Sequence, residues 1–283
     1  QKGDKVMIQP PVYHPFAWVT TRNERTLVIN PLRWENGMYR MDLDAFREQI
    51  KGCKLFILCN PHNPGGVVWT EAELRAIADI CYDEKVLVFS DEIHADLTLP
   101  PHTHRPFATV SEKARMNSVT FMSPSKAFNM PGLSASHALI FNEDLRKRFR
   151  IYMDAGELDM GHVFAFLSVE AAYSHGTEWL DQCLAYIQGN IDFVDEFLKK
   201  HAPKIKAIRP EASYLVWLDC RELELSQKDL NEFFVDKAHL ALNDGEMFGK
   251  EGIGFMRLNV ASPRCIIEKA MKQLADAYQL YIK

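Results

Sequence analysis

Three short polar clusters in the first half of the chain hold residue types that can do covalent chemistry. Asn60-Pro61-His62-Asn63-Pro64-Gly65-Gly66, Ser90-Asp91-Glu92-Ile93-His94 and Ser123-Pro124-Ser125-Lys126 each follow directly on an apolar run. Lys126 sits in a turn of small residues. A lysine held in a desolvated pocket releases its proton more readily and becomes a nucleophile or base. Asp91 closes an apolar run, so its carboxylate needs a cationic or hydrogen-bonding partner. Ser123 and Ser125 offer hydroxyls and backbone N–H groups that suit a phosphate. The Asn63 amide can donate or accept, and the prolines around it fix its direction. Taken singly, these residues are bland: Lys126 reads as a solvated surface lysine and Asp91 as a helix cap. Taken together, lysine, carboxylate, amide and hydroxyls suit pyridoxal 5'-phosphate (PLP). The lysine forms the Schiff base and the carboxylate keeps the pyridine nitrogen protonated.

A sheet must position these groups. Strand-like runs at 5–9, 26–30, 54–59, 86–90, 118–122 and 137–141 alternate with helix-like ones at 42–51 and 70–84. Thr70 and Glu73 have capping-box spacing, and Leu74, Ile77, Ala78 and Cys81 recur at helical spacing behind them. Strands separated by helices need crossovers, so the class is α/β with a mainly parallel sheet. Ligands of such sheets bind outside the carboxyl ends of the strands, and all three clusters lie there. They should meet in one crevice. The second half reads as α+β. Its helices are predicted at 161–174, 178–200, 227–238 (capped by Ser226) and 264–281. Its strands are predicted at 204–208, 213–219, 239–243 and 253–259. The pattern suggests a large domain over 1–180 and a small C-terminal one over 181–283.

Composition narrows the function class. Of 283 residues, 47% are hydrophobic and 25% charged, as in ordinary soluble globular proteins and unlike disordered ones. The net charge of −5 and the lack of a polybasic stretch speak against nucleic acid or an anionic membrane as partner. The longest apolar runs, such as 55–59 and 86–89, are far shorter than the ~20 residues of a membrane span. Six cysteines without a C-x-x-C pair read as reduced and mostly buried, which fits the cytoplasm. The first five residues lead into no apolar stretch, so they are not a secretion signal. His102 and His104 lack a Cys or carboxylate partner at ligand spacing, so no metal site is expected. Gly65-Gly66 lacks the Gly-Lys-Ser/Thr of a phosphate loop, and 245–249 reads as a loop near the site's mouth.

In order and spacing, Asn60 to Gly66, Ser90 to His94 and Ser123 to Leu133 resemble the fold-type I PLP enzymes of the class I/II aminotransferase superfamily. Pro10 to Phe16, His62 and His94 make the chain most similar to the cystathionine β-lyase, or cysteine–sulfur lyase, branch. The resemblance runs over essentially the whole chain and ends in Gly254 to Asn259. It implies that Lys126 carries PLP and later shuttles a proton. Asp91 would pair with the ring nitrogen, Asn63 would bond the ring's 3-hydroxyl oxygen, and Tyr13 would stack on the ring. Ser123, with Ser125 beside it, would contact the phosphate. Arg257 would clamp the substrate carboxylate. His94 stands where aminotransferases have a tyrosine near the ring oxygen, and Ser134 stands where they often have a phosphate-binding arginine; both departures favour the lyase branch. The resemblance further implies a homodimer, an amino-acid substrate and an N-terminal segment, apparently missing, that would hold a Gly-rich phosphate loop. The expected activity is β-elimination from cystathionine or cysteine-type substrates to pyruvate, ammonia and a thiol. A class I/II aminotransferase is the second reading. A catalytically impaired regulatory or binding relative is the third.

Overall fold

The computed structural model describes residues 1–281. Its first half lays down β1 (Lys5–Ile8), α1 (Pro15–Arg22), β2 (Thr26–Ile29), a small hairpin of β3 (Arg33–Glu35) and β4 (Met38–Arg40), and α2 (Leu43–Gln49). Then follow β5 (Cys53–Cys59), α3 (Glu71–Asp83), β6 (Leu87–Asp91), α4 (Glu112–Met116), β7 (Ser118–Met122), the short α5 (Pro124–Ala127) and β8 (His137–Leu139). A six-stranded sheet forms in the order β2-β1-β5-β6-β7-β8. All its pairs are parallel except β7 with β8. The capping box of Thr70 and Glu73 is present at the start of α3, whose Leu74, Ile77, Ala78 and Cys81 are buried. The mainly parallel α/β reading therefore holds, with an antiparallel edge.

The second half comprises α6 (Glu143–Ala155), α7 (Val163–His175), α8 (Thr177–His201), β9 (Lys206–Ile208), β10 (Leu215–Asp219), α9 (Gln227–Glu232), β11 (Asn243–Asp244), β12 (Phe255–Asn259) and α10 (Arg264–Tyr281). Four strands form an antiparallel sheet in the order β11-β12-β10-β9. Ser226 caps α9 as expected, accepting from Asp229 N–H. The strand predicted over 239–243 shrinks to Asn243–Asp244. Ahead of it the chain is still closing the helix: His239 is left-handed at φ 55°, and Leu240 N–H donates to the Phe234 carbonyl. Helix α6 was not predicted, because its arginines and lysines leave no residue buried and so no apolar stripe to read.

Two large cores serve these sheets, besides a smaller cluster of Val6, Ile8, Val12, Phe16, Ile57 and Cys59. One gathers Phe46, Phe56, Trp69, Leu74, Ile77 and Phe107 around the parallel sheet, and is completed by Trp217, Phe248 and Phe255 from the second half. The other packs Ile191, Val194 and Leu198 of α8 and Met271 and Leu274 of α10 on β10 and β12. Strand periodicity explains the split: Val216 and Leu218, Met256 and Leu258 face the helices, while Trp217 and Phe255 face the first core. On β12 the same face carries Arg257 and Asn259 beyond Phe255.

Candidate active site

The carboxyl ends of β5, β6 and β7 open into one cleft of about 310 Å³. Tyr13, Asn63, Asp91, His94, Lys126 and Arg257 all line it, so the structure brings six of the sequence-predicted residues together. The loop after β5 is tightly tied. Gly66 N–H donates to the His62 carbonyl, His62 N–H to the Val67 carbonyl, and Trp69 Nε1 to the Cys59 carbonyl at 2.9 Å. Gly66 is left-handed at φ 70°, and a Cβ there would lie 2.5 Å from that of Pro210, so only glycine fits. This turn aims Asn63. His62 instead packs between Tyr39 and Trp69, buried in the core rather than in the cleft.

Ser123 caps α5 and so presents Lys126. Its hydroxyl donates to the Ala135 carbonyl at 2.6 Å and accepts from Ser125 N–H at 3.0 Å. Ser123 is buried and does not line the cleft; Ser125 lines an adjoining cavity that shares Lys126, Tyr214 and Asn259 with it. Lys126 is half-buried between the two. Ser134 is exposed and left-handed at φ 51°.

Burial dominates the electrostatics. It pushes the Asp91 carboxyl up to about 6, with Glu92 adding to the rise and the Ile93 N–H and Lys126 opposing it. Burial, then the positive charges of Lys126 and Arg257, pushes His94 down to about 3, so its imidazole is neutral at pH 7. Its Nδ1 is buried without a partner. Arg257 donates from Nη1 to Asn63 Oδ1 at 2.8 Å and from Nη2 to Asn243 Oδ1 at 2.7 Å, and lies 4.7 Å over the Phe248 ring. Both acceptors are neutral amides, and burial lowers its proton affinity. A half-buried guanidinium without a carboxylate partner among the described residues is a site for an incoming carboxylate. Because Asn63 Oδ1 accepts from Arg257, its Nδ2 remains a donor into the cleft.

The model for aminotransferase class I and II matches residues 1–274. The chain belongs to the class I and II aminotransferase family. Among similar proteins of this family, the cystathionine beta-lyase PatB of Bacillus subtilis is 38% identical over 98% of this chain and 72% of its own length. Cystalysin from Treponema denticola, whose crystal structure contains PLP, superposes with a TM-score of 0.97 at 35% identity, over 100% of this chain and 72% of its own. The PLP-bound C-S lyase of Staphylococcus hominis gives 0.90 at 33%, over 98% and 71%.

The donor set fits the family's cofactor: an amine at Lys126, a carboxylate at Asp91 aimed into the cleft and a free amide N–H at Asn63. Sequence reasoning missed Tyr214, Asn259, His14 and Cys59, which also line the cleft. Tyr214 faces His94 at 6.2 Å between ring centroids. Asn259 lies two residues beyond Arg257 on the same strand face, a signal that period-two reading could have used.

Proposed function

We propose that the chain is a PLP-dependent carbon–sulfur β-lyase that takes cystathionine or cysteine-type amino acids to pyruvate, ammonia and a thiol. The observation that carries this reading is the Arg257–Asn63 bond in the cleft that also holds Lys126 and Asp91. It joins a carboxylate clamp to the reacting end of the site. When bound, PLP supplies the electron sink that stabilises negative charge at the substrate Cα. Lys126 holds the cofactor and its Nζ moves the Cα proton as general base. Asp91 would keep the ring nitrogen protonated, Asn63 Nδ2 would donate to the ring oxygen, and Tyr13 would cover the ring face. Ser123 orders the turn that carries Lys126, and His94 would meet the cofactor as a neutral group. Arg257 fixes the substrate carboxylate, which orients the Cα–H toward Lys126.

An aminotransferase would use the same residues through loss of the Cα proton and would differ only in where Lys126 Nζ delivers that proton. Lyase-named relatives at 30–38% identity support elimination instead. Incubation with cystathionine and PLP decides. Pyruvate formed without any keto-acid co-substrate supports the lyase. Turnover that appears only with a keto acid means transamination, and PLP binding with neither reaction means a regulatory or binding relative.

The same proposal includes a homodimer, a cytoplasmic setting and the division into 1–180 and 181–283. The exposed apolar side chains of α7 support the dimer. The free cysteines, four of them buried, support a reducing compartment. No described helix is long and apolar enough to cross a membrane.

A further inference from the structure

Consecutive side chains at a strand end point to opposite faces. Asp91 looks into the cleft, and Glu92 looks into a closed pocket behind it, where it is 1% exposed. Glu92 Oε1 accepts from Ser90 Oγ at 2.7 Å and from Phe107 N–H at 2.8 Å. Its Oε2 lies 2.7 Å from His104 Nε2. The Oε1 atom is thus an acceptor in both its contacts. The His104 side chain is 8% exposed, and its Nδ1 is buried without a partner. The segment that carries His104 is also tied to the end of β5, where Asn60 Nδ2 donates to the Arg105 carbonyl at 3.2 Å. The pocket therefore clasps two strand ends of the cleft from behind.

Two adjacent carboxylates in a low-dielectric interior raise each other's proton affinity unless each has its own cation. The charged or titratable groups that act on Asp91 are Cys59 from β5, Lys126 from α5 and Glu92 on its own segment, and Tyr13, His14, His94, Tyr214 and Arg257 share its cleft. Asp96 is close enough to His104 for their charges to interact, and it accepts from the Tyr173 hydroxyl at 3.4 Å. Among the described residues His104 is thus the basic side chain placed to offset Glu92, which it does when protonated.

We propose that Glu92 and His104 are positioning residues for Asp91, an ion pair behind the strand end that leaves Asp91 free to ionise against a cofactor ring. This rests on the reading of Asp91 as the ring-nitrogen partner. The pair also anchors the turn that follows β6.

The test measures PLP affinity of the protein by absorbance titration between pH 5 and 8, for wild type, His104→Gln and Glu92→Gln. Removing the positive charge raises the acid midpoint of PLP binding by about half a pH unit or more, and removing the negative charge lowers it. A pair with only a packing role would weaken binding in both variants without this reversal of sign. The double variant Glu92→Gln/His104→Gln returns the midpoint to the wild-type value. Shifts of the same sign, or coincident midpoints, overturn the proposal. A double variant displaced as far as His104→Gln overturns it even if Glu92→Gln fails to fold. Wild type that binds no PLP at any pH overturns the site reading as well, which separates the two failures.

Discussion

In the cleft, Arg257, Asn63 and Asn243 form one chain of hydrogen bonds, and His94 is sealed beside them. On α7, Ala165 alone is buried, while Phe164 is 68% exposed and Phe166 and Leu167 are more than half exposed. The cleft places polar groups inside and holds them with the chain's own donors and acceptors. The α7 layer places apolar groups outside, uncovered among the described residues. On the proposed reading, chemistry and assembly fall on different surfaces, and substitutions in the two should fail in different ways.

Lys126→Ala tests the contrast most severely. Pyruvate formation from cystathionine falls on the order of 10³-fold or more, with the far-UV circular dichroism unchanged; a variant retaining a tenth of the wild-type rate would break the assignment. Arg257→Ala comes next. Loss of a buried charge partner for the substrate carboxylate lowers kcat/KM by about 100-fold, mainly through KM. Arg257→Lys does not restore it, because the planar fork that reaches Asn63 and Asn243 is gone.

Asp91→Asn sharpens the comparison from the stability side. The Asp91 carboxyl is raised from 3.8 to about 6 in the folded chain. The folded state therefore binds its proton more tightly than the unfolded state, and stability falls as pH rises between those values. Above pH 6, Asp91→Asn stabilises the PLP-free protein by ~3 kcal/mol, an advantage that vanishes near pH 4 in urea unfolding. A destabilised variant at pH 7 would contradict this. On α7, Phe164→Ser with Phe166→Ser changes protomer stability by only about 0.5 kcal/mol or less but lowers the sedimentation coefficient. Unchanged sedimentation would remove α7 from the assembly surface.

The strand ends were readable in the sequence because each apolar run of a buried parallel strand stops at a polar cluster, and the parallel topology forces such ends together. Thr70 and Glu73 announced α3 through a local rule. What stayed hidden depended on register and tertiary pairing. Asn243 meets Arg257 because β11 and β12 pair there. His104 reads as half of a weak metal motif until the fold sets it against Glu92, twelve positions away. Tyr214 has no motif at all; it reaches the cleft because Ser213 turns the chain at φ 78° just ahead of β10. The Ser123 hydroxyl, predicted for a phosphate, is engaged by its own turn.

Trp217, stacked on Phe255 at 5.2 Å and donating to the Tyr39 hydroxyl at 3.2 Å, completes the core of the parallel sheet from a strand of the other sheet. Folding of the two sheets is therefore cooperative. The parallel sheet has no finished interior until that strand arrives, so melting should be a single event that tryptophan fluorescence reports. The chain order puts that indole some 160 residues beyond β5, so the parallel sheet must wait during synthesis for the C-terminal part of the chain.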